Sequence, residues 1–313
     1  MSPRWNWDFE NRNKPARSGP QSRAGQRARS AQVRRRRSAA VLVIVVALAV
    51  VVAVASGSGH PRVIPRAHTR IRVSRAKPLP RPIPENDQDA TVASVLAYTP
   101  FVKEGSVRKR EIALTFDDGP GPYTPEVLTV LEHFHVHATF FEIGEMLRYF
   151  SSSTLRELKD GDVIGDHTET HPEMARLSQR EQHEQLFEQI ARIELLGGPR
   201  PTLFRPPYGS YDATTMRELH KLHLLMVLWS VDTDDYLQPG VSVIVQRALA
   251  GAQPGGIILM HDAGGTRTQT IAALPTIIRD LRARGYRLVS VPQLLRDDPP
   301  PPGQALPSNL SGD

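Results

Sequence analysis

The chain has no cysteine among its 313 residues. That excludes disulfides and thiolate metal sites, and it suits an oxidising compartment. Acidic residues are scarce in the first third. Residues 1–38 hold eleven Lys/Arg and two Asp/Glu, and residues 56–110 hold eleven and four. Beyond residue 110 the balance reverses to 17 Lys/Arg against 27 acids, so the net charge of +6 hides a strongly basic N-terminal third and an acidic remainder. The remainder lacks a compact basic motif interleaved with aromatics, and no nucleic-acid partner is expected for it.

Long apolar runs are also scarce, and the one present stands out. Ala39–Ala55 is seventeen consecutive Ala, Val, Leu and Ile. That is at the lower end of the length needed to cross a bilayer. Arg34–Arg37 precede it, which predicts an N-terminus inside and a C-terminus outside. A retained single-pass signal anchor is expected, with the C-terminal domain extracytoplasmic. Ala53-Val54-Ala55 has the small-residue spacing of a cleavage site, so secretion after cleavage is the alternative. Residues 1–38, polar and Arg-rich, read as a disordered basic cytoplasmic segment. Residues 56–108 read as a Pro/Arg-rich linker that stands a folded domain, 109–297, off the membrane. Residues 298–313, with four consecutive prolines, read as a disordered tail.

From Glu111 onward strand and helix patterns alternate. Strands are expected near 111–116, 138–143, 163–165, 202–204, 224–229, 256–260 and 287–291. Helices are expected between them. One opens on Thr124 as N-cap with Pro125 behind it, and another on the capping box Ser178–Glu181. About seven such units predict an α/β fold, a distorted (β/α) barrel with its site at the strands' C-terminal ends.

Those ends carry the chemistry. Leu114–Pro120 reads L-T-F-D-D-G-P and leaves Asp117 and Asp118 side by side where a strand turns. One carboxylate can hold a metal while the other takes a proton. Asp166–Pro172 reads D-H-T-E-T-H-P, and His167 and His171, four apart, can share one side of a helical turn. With Asp118 they make a two-His, one-carboxylate set, the donor pattern of a catalytic zinc with an open position; other transition metals fit the same set. Phe204–Gly209 reads F-R-P-P-Y-G, and its prolines hold Arg205 rigidly. Trp229–Tyr236 crowds Asp232, Asp234 and Asp235 after a strand, and Ile257–His261 is an apolar strand ending in histidine. His133, His135 and His137 alternate but fall where a helix gives way to a strand, and they read as a polar turn. His220 and His223 read as surface residues.

In these five motifs, in order over about residues 109–297, the chain resembles the polysaccharide deacetylases of carbohydrate esterase family 4, the NodB homology domain. The resemblance implies a metal-dependent hydrolase that removes acetyl groups from an amino-sugar polymer, peptidoglycan or a chitin-type oligosaccharide. It implies Asp117 as general base, Asp118, His167 and His171 as ligands of zinc, cobalt or another divalent metal, and Arg205 as the partner that orients Asp117. Tyr208 would offer its backbone N–H to the oxyanion, Asp235 would tune the general acid His261, and Leu259 would line the acetyl-methyl pocket. Two residues depart from the family pattern. Tyr236 stands where Trp is usual and would keep an aromatic wall, and Asp166 stands where Asn is common. Arg205 beside Asp117 predicts a lowered carboxyl pKa. Rival readings are an O-acetyl glycan esterase, a non-catalytic glycan-binding envelope protein, and a nucleic-acid or anionic-surface binder that uses the Arg-rich termini.

Overall fold

The computed structural model describes residues 85–304. The basic segment 1–38, the anchor expected at 39–55, the linker up to residue 84 and the tail from 305 lie outside the described residues. Among the described residues no helix is long and apolar enough to cross a membrane.

The strands in chain order are β1 (Phe101–Val102), β2 (Glu111–Asp117), β3 (Thr139–Glu142), β4 (Val163–Asp166), β5 (Leu203–Phe204), β6 (Leu225–Val227), β7 (Val231–Asp232), β8 (Gly256–His261) and β9 (Arg287–Val289). The helices are α1 (Glu85–Leu96), α2 (Thr124–Phe134), α3 (Leu147–Asp160), α4 (Gln179–Leu195), α5 (Ala213–Leu222), α6 (Val241–Ala250), α7 (Thr268–Ala283) and α8 (Val291–Asp297). Every strand pairing is parallel, in the order β1-β6-β5-β4-β3-β2-β8-β7, with β9 also on β2. The sheet's edges nearly meet, because β6 and β7 belong to one run of chain. Leu228 donates its N–H to Val102, and Ser230 donates to Ile257 on the other side. The expected single strand 224–229 is therefore shorter, and the chain changes partners at Trp229. The result is a parallel-stranded partial barrel, as the alternating pattern predicts.

Strand β2 shows how the sequence builds the site. It is buried along its whole length, as the central strand of a parallel sheet must be. Successive side chains take opposite faces. Ile112, Leu114 and Phe116 pack outward with Val127, Leu128 and Leu131 of α2 and with Leu274, Ile277 and Ile278 of α7. On the inner face Ala113 joins an apolar cluster with Phe141, Leu225, Val227 and Ile257, and Thr115 and Asp117 follow it toward the C-terminal end. The neighbouring β8 keeps the same phase: Thr115 pairs with Leu259, and Asp117 with His261. Apolar residues thus fill the middle of the barrel, and the aspartates and histidine gather at the rim.

The folded part extends beyond residues 109–297 at both ends. Within the stretch expected to be linker, α1 buries Val92 and Val95 in the inner cluster, and β1 pairs with β6. Asp298, assigned to the tail, is fully buried; it accepts from Lys109 N–H at 2.8 Å and from Arg108 Nε at 3.0 Å. Thr124 is the first residue of α2 rather than its N-cap, which is Tyr123.

Candidate active site

Asp117 and Asp118 end β2 and start the turn after it. Asp118 takes φ 73°, a left-handed conformation that aims its carboxyl away from its neighbour's strand direction. Gly264, itself at φ 73°, lies so close that a Cβ there would sit 2.1 Å from Asp118 Oδ2. Only glycine lets the 263–265 loop press against that carboxyl.

His167 and His171 do not lie on a helix. They occupy a loop held by a short ladder. Asp166 Oδ1 accepts Thr168 N–H at 2.7 Å, and Thr168 Oγ1 accepts His171 N–H at 2.9 Å. Thr168 and His171 both take positive φ, 70° and 59°, which folds the loop tightly enough to bring the rings to 4.9 Å between centroids. Asp166 is therefore a loop-former, and its one bonded oxygen does the work that Asn would do at the same position.

Asp118 Oδ1 lies 3.2 Å from His171 Nε2 and 3.7 Å from His167 Nε2. One ligand atom from each of the three residues lies within 4.8 Å of the others, and no other such group occurs among the described residues. His167 Nδ1–H donates to the Arg205 carbonyl at 2.7 Å, which leaves Nε2 as a lone pair facing Asp118. Tyr208 Oη meets His171 Nδ1 at 3.1 Å and can fix that ring the same way. A borderline ion such as zinc fits this donor set, and three protein ligands leave coordination positions open.

Asp117 is the carboxylate outside that set. Arg205 Nη1 donates to its Oδ1 at 2.7 Å, while Oδ2 stands 3.8 Å from His167 Nε2. Arg205 is fully buried. Its Nη1 also bonds Thr115 Oγ1, its Nε the Val227 carbonyl and its Nη2 the Leu228 carbonyl, and Phe141 stacks 4.2 Å from its Cζ. The pairing alone predicts a lowered Asp117 pKa; the structure reverses the sign. Burial pushes Asp117 up to about 6, over the opposing pull of Arg205 and His261, and the Asp118 charge adds to the rise. Asp118 goes the other way: burial raises it, but His171, His261 and His167 together hold it well below the usual range. The two adjacent carboxyls are thereby split, one basic enough to take a proton and one kept ionised.

Across the rim, His261 Nδ1 donates to Asp235 Oδ1 at 2.7 Å. Burial would lower the His261 pKa, but the Asp235 charge and hydrogen bond, with Asp118 and Asp117 behind them, lift it to about 9. Asp235 is held in turn by His261 N–H at 2.9 Å and by Thr270 Oγ1–H at 2.6 Å. The half-buried ring of Tyr236 meets His261 edge-on, with centroids 5.4 Å apart, so the aromatic wall is kept. Leu259 shares the inner face of β8 with His261 and is almost fully buried. Tyr208 sits at φ 57° in the loop after Arg205.

Three contributors were not singled out from sequence. Thr115 could have been found, since it lies two residues before Asp117 on the same strand face. Thr270 and the buried Arg267, which bonds the Ala263 and Tyr236 carbonyls, come from the start of α7, and nothing local marks them. Among the described residues the other histidines form no such site: His135 and His223 are the left-handed caps that end α2 and α5.

The polysaccharide deacetylase family model matches residues 104–227. A peptidoglycan-N-acetylglucosamine deacetylase of Bacillus cereus is 35% identical over 198 residues, covering 63% of this chain and 72% of the relative. The chain belongs to the polysaccharide deacetylase family. As a member it falls in a class of hydrolases. A chitooligosaccharide deacetylase of a Bradyrhizobium species is 36% identical over 199 residues, 59% of this chain and 90% of the relative. Some curated relatives are longer, and the chain spans 39% and 41% of two of them. The solved structure of a peptidoglycan N-acetylglucosamine deacetylase bound to an N-hydroxybenzamide superposes with a TM-score of 0.62 at 33% identity, covering 68% of this chain and all of the other. The family also includes a pseudoenzyme from Bacillus anthracis, at TM-score 0.59 and 30% identity over 63% of this chain and 69% of that one. Membership therefore gives the fold and reaction class, and the argument for activity rests on the residues at the rim.

Proposed function

We propose that this chain is a metal-dependent deacetylase that hydrolyses N-acetyl groups of an extracytoplasmic amino-sugar polymer, peptidoglycan foremost, and releases acetate. The observation that carries the reading is the division of labour at the rim. Asp118, His167 and His171 face one point, Asp117 flanks that point without joining the set, and His261 approaches from β8.

A divalent ion held by Asp118, His167 and His171 would supply Lewis-acid polarisation of the acetamide carbonyl and make a nearby water easier to deprotonate. Asp117, with Oδ1 engaged by Arg205 and Oδ2 turned to the site, takes the proton of the attacking water. His261, protonated and oriented through Nδ1 by Asp235, gives a proton to the leaving nitrogen, so that the amine departs neutral as the C–N bond breaks. Each positioned acid or base is worth roughly 10²–10⁴-fold. Tyr208 is assigned the backbone N–H that meets the carbonyl oxygen, and Leu259 and Tyr236 are assigned the walls around the acetyl methyl and the sugar. Residues 39–55 are proposed as the membrane anchor that places the domain at the cell envelope, and peptidoglycan leads for that reason. The names of the Bacillus cereus and Bradyrhizobium relatives support peptidoglycan and chitin-type oligosaccharides as the two polymers to compare.

The test is acetate release by the full chain from peptidoglycan and from N-acetylglucosamine oligomers, with zinc or cobalt, with chelator, and beside Asp117→Asn. Chelator-sensitive release that the substitution abolishes is expected. A folded, zinc-binding protein that releases nothing from either polymer, and nothing from O-acetylated glycans, would overturn the enzyme reading in favour of glycan binding.

A further inference from the structure

Behind the turn that carries Asp117 and Asp118 lies a second group of acids that the proposed chemistry does not use. Glu142 ends β3, Glu157 lies within α3, and Asp262 follows His261; all three are fully buried. Glu142 Oε1 accepts Thr154 Oγ1–H at 2.8 Å, and Asp262 Oδ2 accepts from Thr124 Oγ1. Glu142 Oε2, both Glu157 oxygens and Asp262 Oδ1 have no partner that could donate to them while the acids are ionised. The groups that act most on Glu157 are Glu142, Asp262 and Asp162, all acids. Burial, with neighbouring acid charges at Glu157 and Asp262, pushes all three carboxyls toward the protonated form, in which Glu142 and Glu157 can hydrogen-bond each other. This is a buried acidic layer in the sheet–helix interior.

The catalytic turn is built on that layer. Asp262 N–H donates to the Asp117 carbonyl at 3.2 Å. Its carboxyl fills the space beneath Gly119, where a Cβ would stand 2.6 Å from Oδ2 and 2.8 Å from Oδ1. Thr124 Oγ1, while donating to Asp262, accepts Gly121 N–H at 2.7 Å. Ile143 N–H, next to Glu142, holds the Gly119 carbonyl at 2.7 Å. Backbone groups of Asp117, Gly119 and Gly121 are thus fastened from behind. Asp262 reaches the first by its main chain and the third through Thr124.

We propose that Asp262, acting with Thr124, is a positioning residue that fixes the 117–121 turn so that Asp117 and Asp118 face the same point. The inference rests on the reading of Asp117 as base and Asp118 as metal ligand. Asp262 itself is turned away from the rim and meets neither substrate nor ion. Removing its side chain leaves a void under Gly119 and leaves Thr124 without its acceptor, so the turn can settle in more than one arrangement.

The test compares Asp262→Ala with Asp262→Asn in the full chain. It measures zinc affinity by chelator competition, together with kcat and KM on N-acetylglucosamine oligomers. Asp262→Ala should weaken zinc binding about tenfold or more and lower kcat by a similar factor, with KM within threefold, the size expected when a supporting partner of a metal site is lost. Asp262→Asn keeps the shape and an acceptor oxygen for Thr124, and it should restore both quantities to within threefold of the parent. An Asp262→Ala protein with parental zinc affinity and kcat, whatever its melting temperature, overturns the proposal and leaves Asp262 as packing. If Asp262→Ala does not fold, Thr124→Val against Thr124→Ser decides. The valine must lose zinc affinity and the serine regain it, and equal affinities sink the idea. A parent chain that binds zinc but releases no acetate would refute the deacetylase reading, while the zinc measurements would still decide the role of Asp262.

Discussion

The two ends of β3 carry the same kinds of side chain and differ in what those side chains face. At the N-terminal end, His135, His137, Glu132, Asp160 and Asp162 line a cavity of about 110 Å³, with Leu128, Leu131 and Val136. At the C-terminal end stand His167, His171, Asp117 and Asp118. The lower group spends its polar atoms locally: Asp162 Oδ1 accepts Ala138 N–H at 2.8 Å, and Asp160 pairs with Arg156 at 3.2 Å. The upper group turns ring nitrogens and carboxylate oxygens toward one another, because a backbone carbonyl and a hydroxyl take the opposite side of each ring. Histidines and acids brought together do not by themselves make a site. A second layer that exhausts their other hydrogen-bonding capacity does.

The comparison breaks most sharply at the base. Asp117→Asn keeps an oxygen for Arg205 and removes the proton acceptor; kcat should fall by roughly 10²–10⁴-fold. Circular dichroism and zinc affinity should stay near the parent's. An Asp117→Asn protein that keeps more than a tenth of the parent kcat would place the base elsewhere. Next in size is the metal set. His167→Ala should abolish stoichiometric zinc binding, whereas His137→Ala, at the other end of β3, should leave both zinc affinity and acetate release within twofold. Equal losses in the two variants would show that the lower cavity, too, engages the ion.

The pH profile sharpens the same contrast. Activity needs Asp117 ionised and His261 protonated, so it should rise as pH passes about 6 and fall as pH passes about 9. A cation beside Asp117 favours its charged form, so the acid limb of the zinc-loaded enzyme should lie at or below 6. Asp235→Asn withdraws the charge that lifts His261, and the alkaline limb should move down. A limb that stays in place would mean that His261 is not the acid being read.

How much of this was legible in the sequence depended on distance. The inner-face order Ala113, Thr115, Asp117 and its partners Ile257, Leu259 and His261 could be read, because strand alternation is a local rule and both strands end in chemistry. The spacing of His167 and His171 correctly placed them together but suggested a helical turn. The actual loop relies on Thr168 at φ 70°, a conformation that no local propensity selects and that the Asp166 and Thr168 side-chain bonds hold in place. The break between β6 and β7 and the docking of α1 were hidden for a related reason. Both are decided by partners more than a hundred residues away, Val102 for Leu228 and α8 for α1. The rise in the Asp117 pKa was misjudged because the sequence names the neighbour, Arg205, and says nothing of the burial that outweighs it.

The smallest expected effect lies in the lower group and concerns stability. Burial, with the Asp160 charge beside it, raises Asp162 from 3.8 to about 7, against the Ala138 N–H bond. The folded chain therefore binds more protons than the unfolded one between these values, so stability is lost as pH rises from about 4 to 7 and stays lost above. Asp162→Asn does not titrate and keeps an oxygen for Ala138 N–H. Relative to the parent, its melting temperature should gain as pH goes from 4.5 to 8, by a few degrees at about 2–4 °C per kcal/mol for a domain of this size. Acetate release should be untouched, because the charge lies at the wrong end of β3. A difference in melting temperature that stays flat or shrinks over that interval would mean that the Asp162 carboxyl is already ionised at acidic pH, and that it is better solvated than its burial implies.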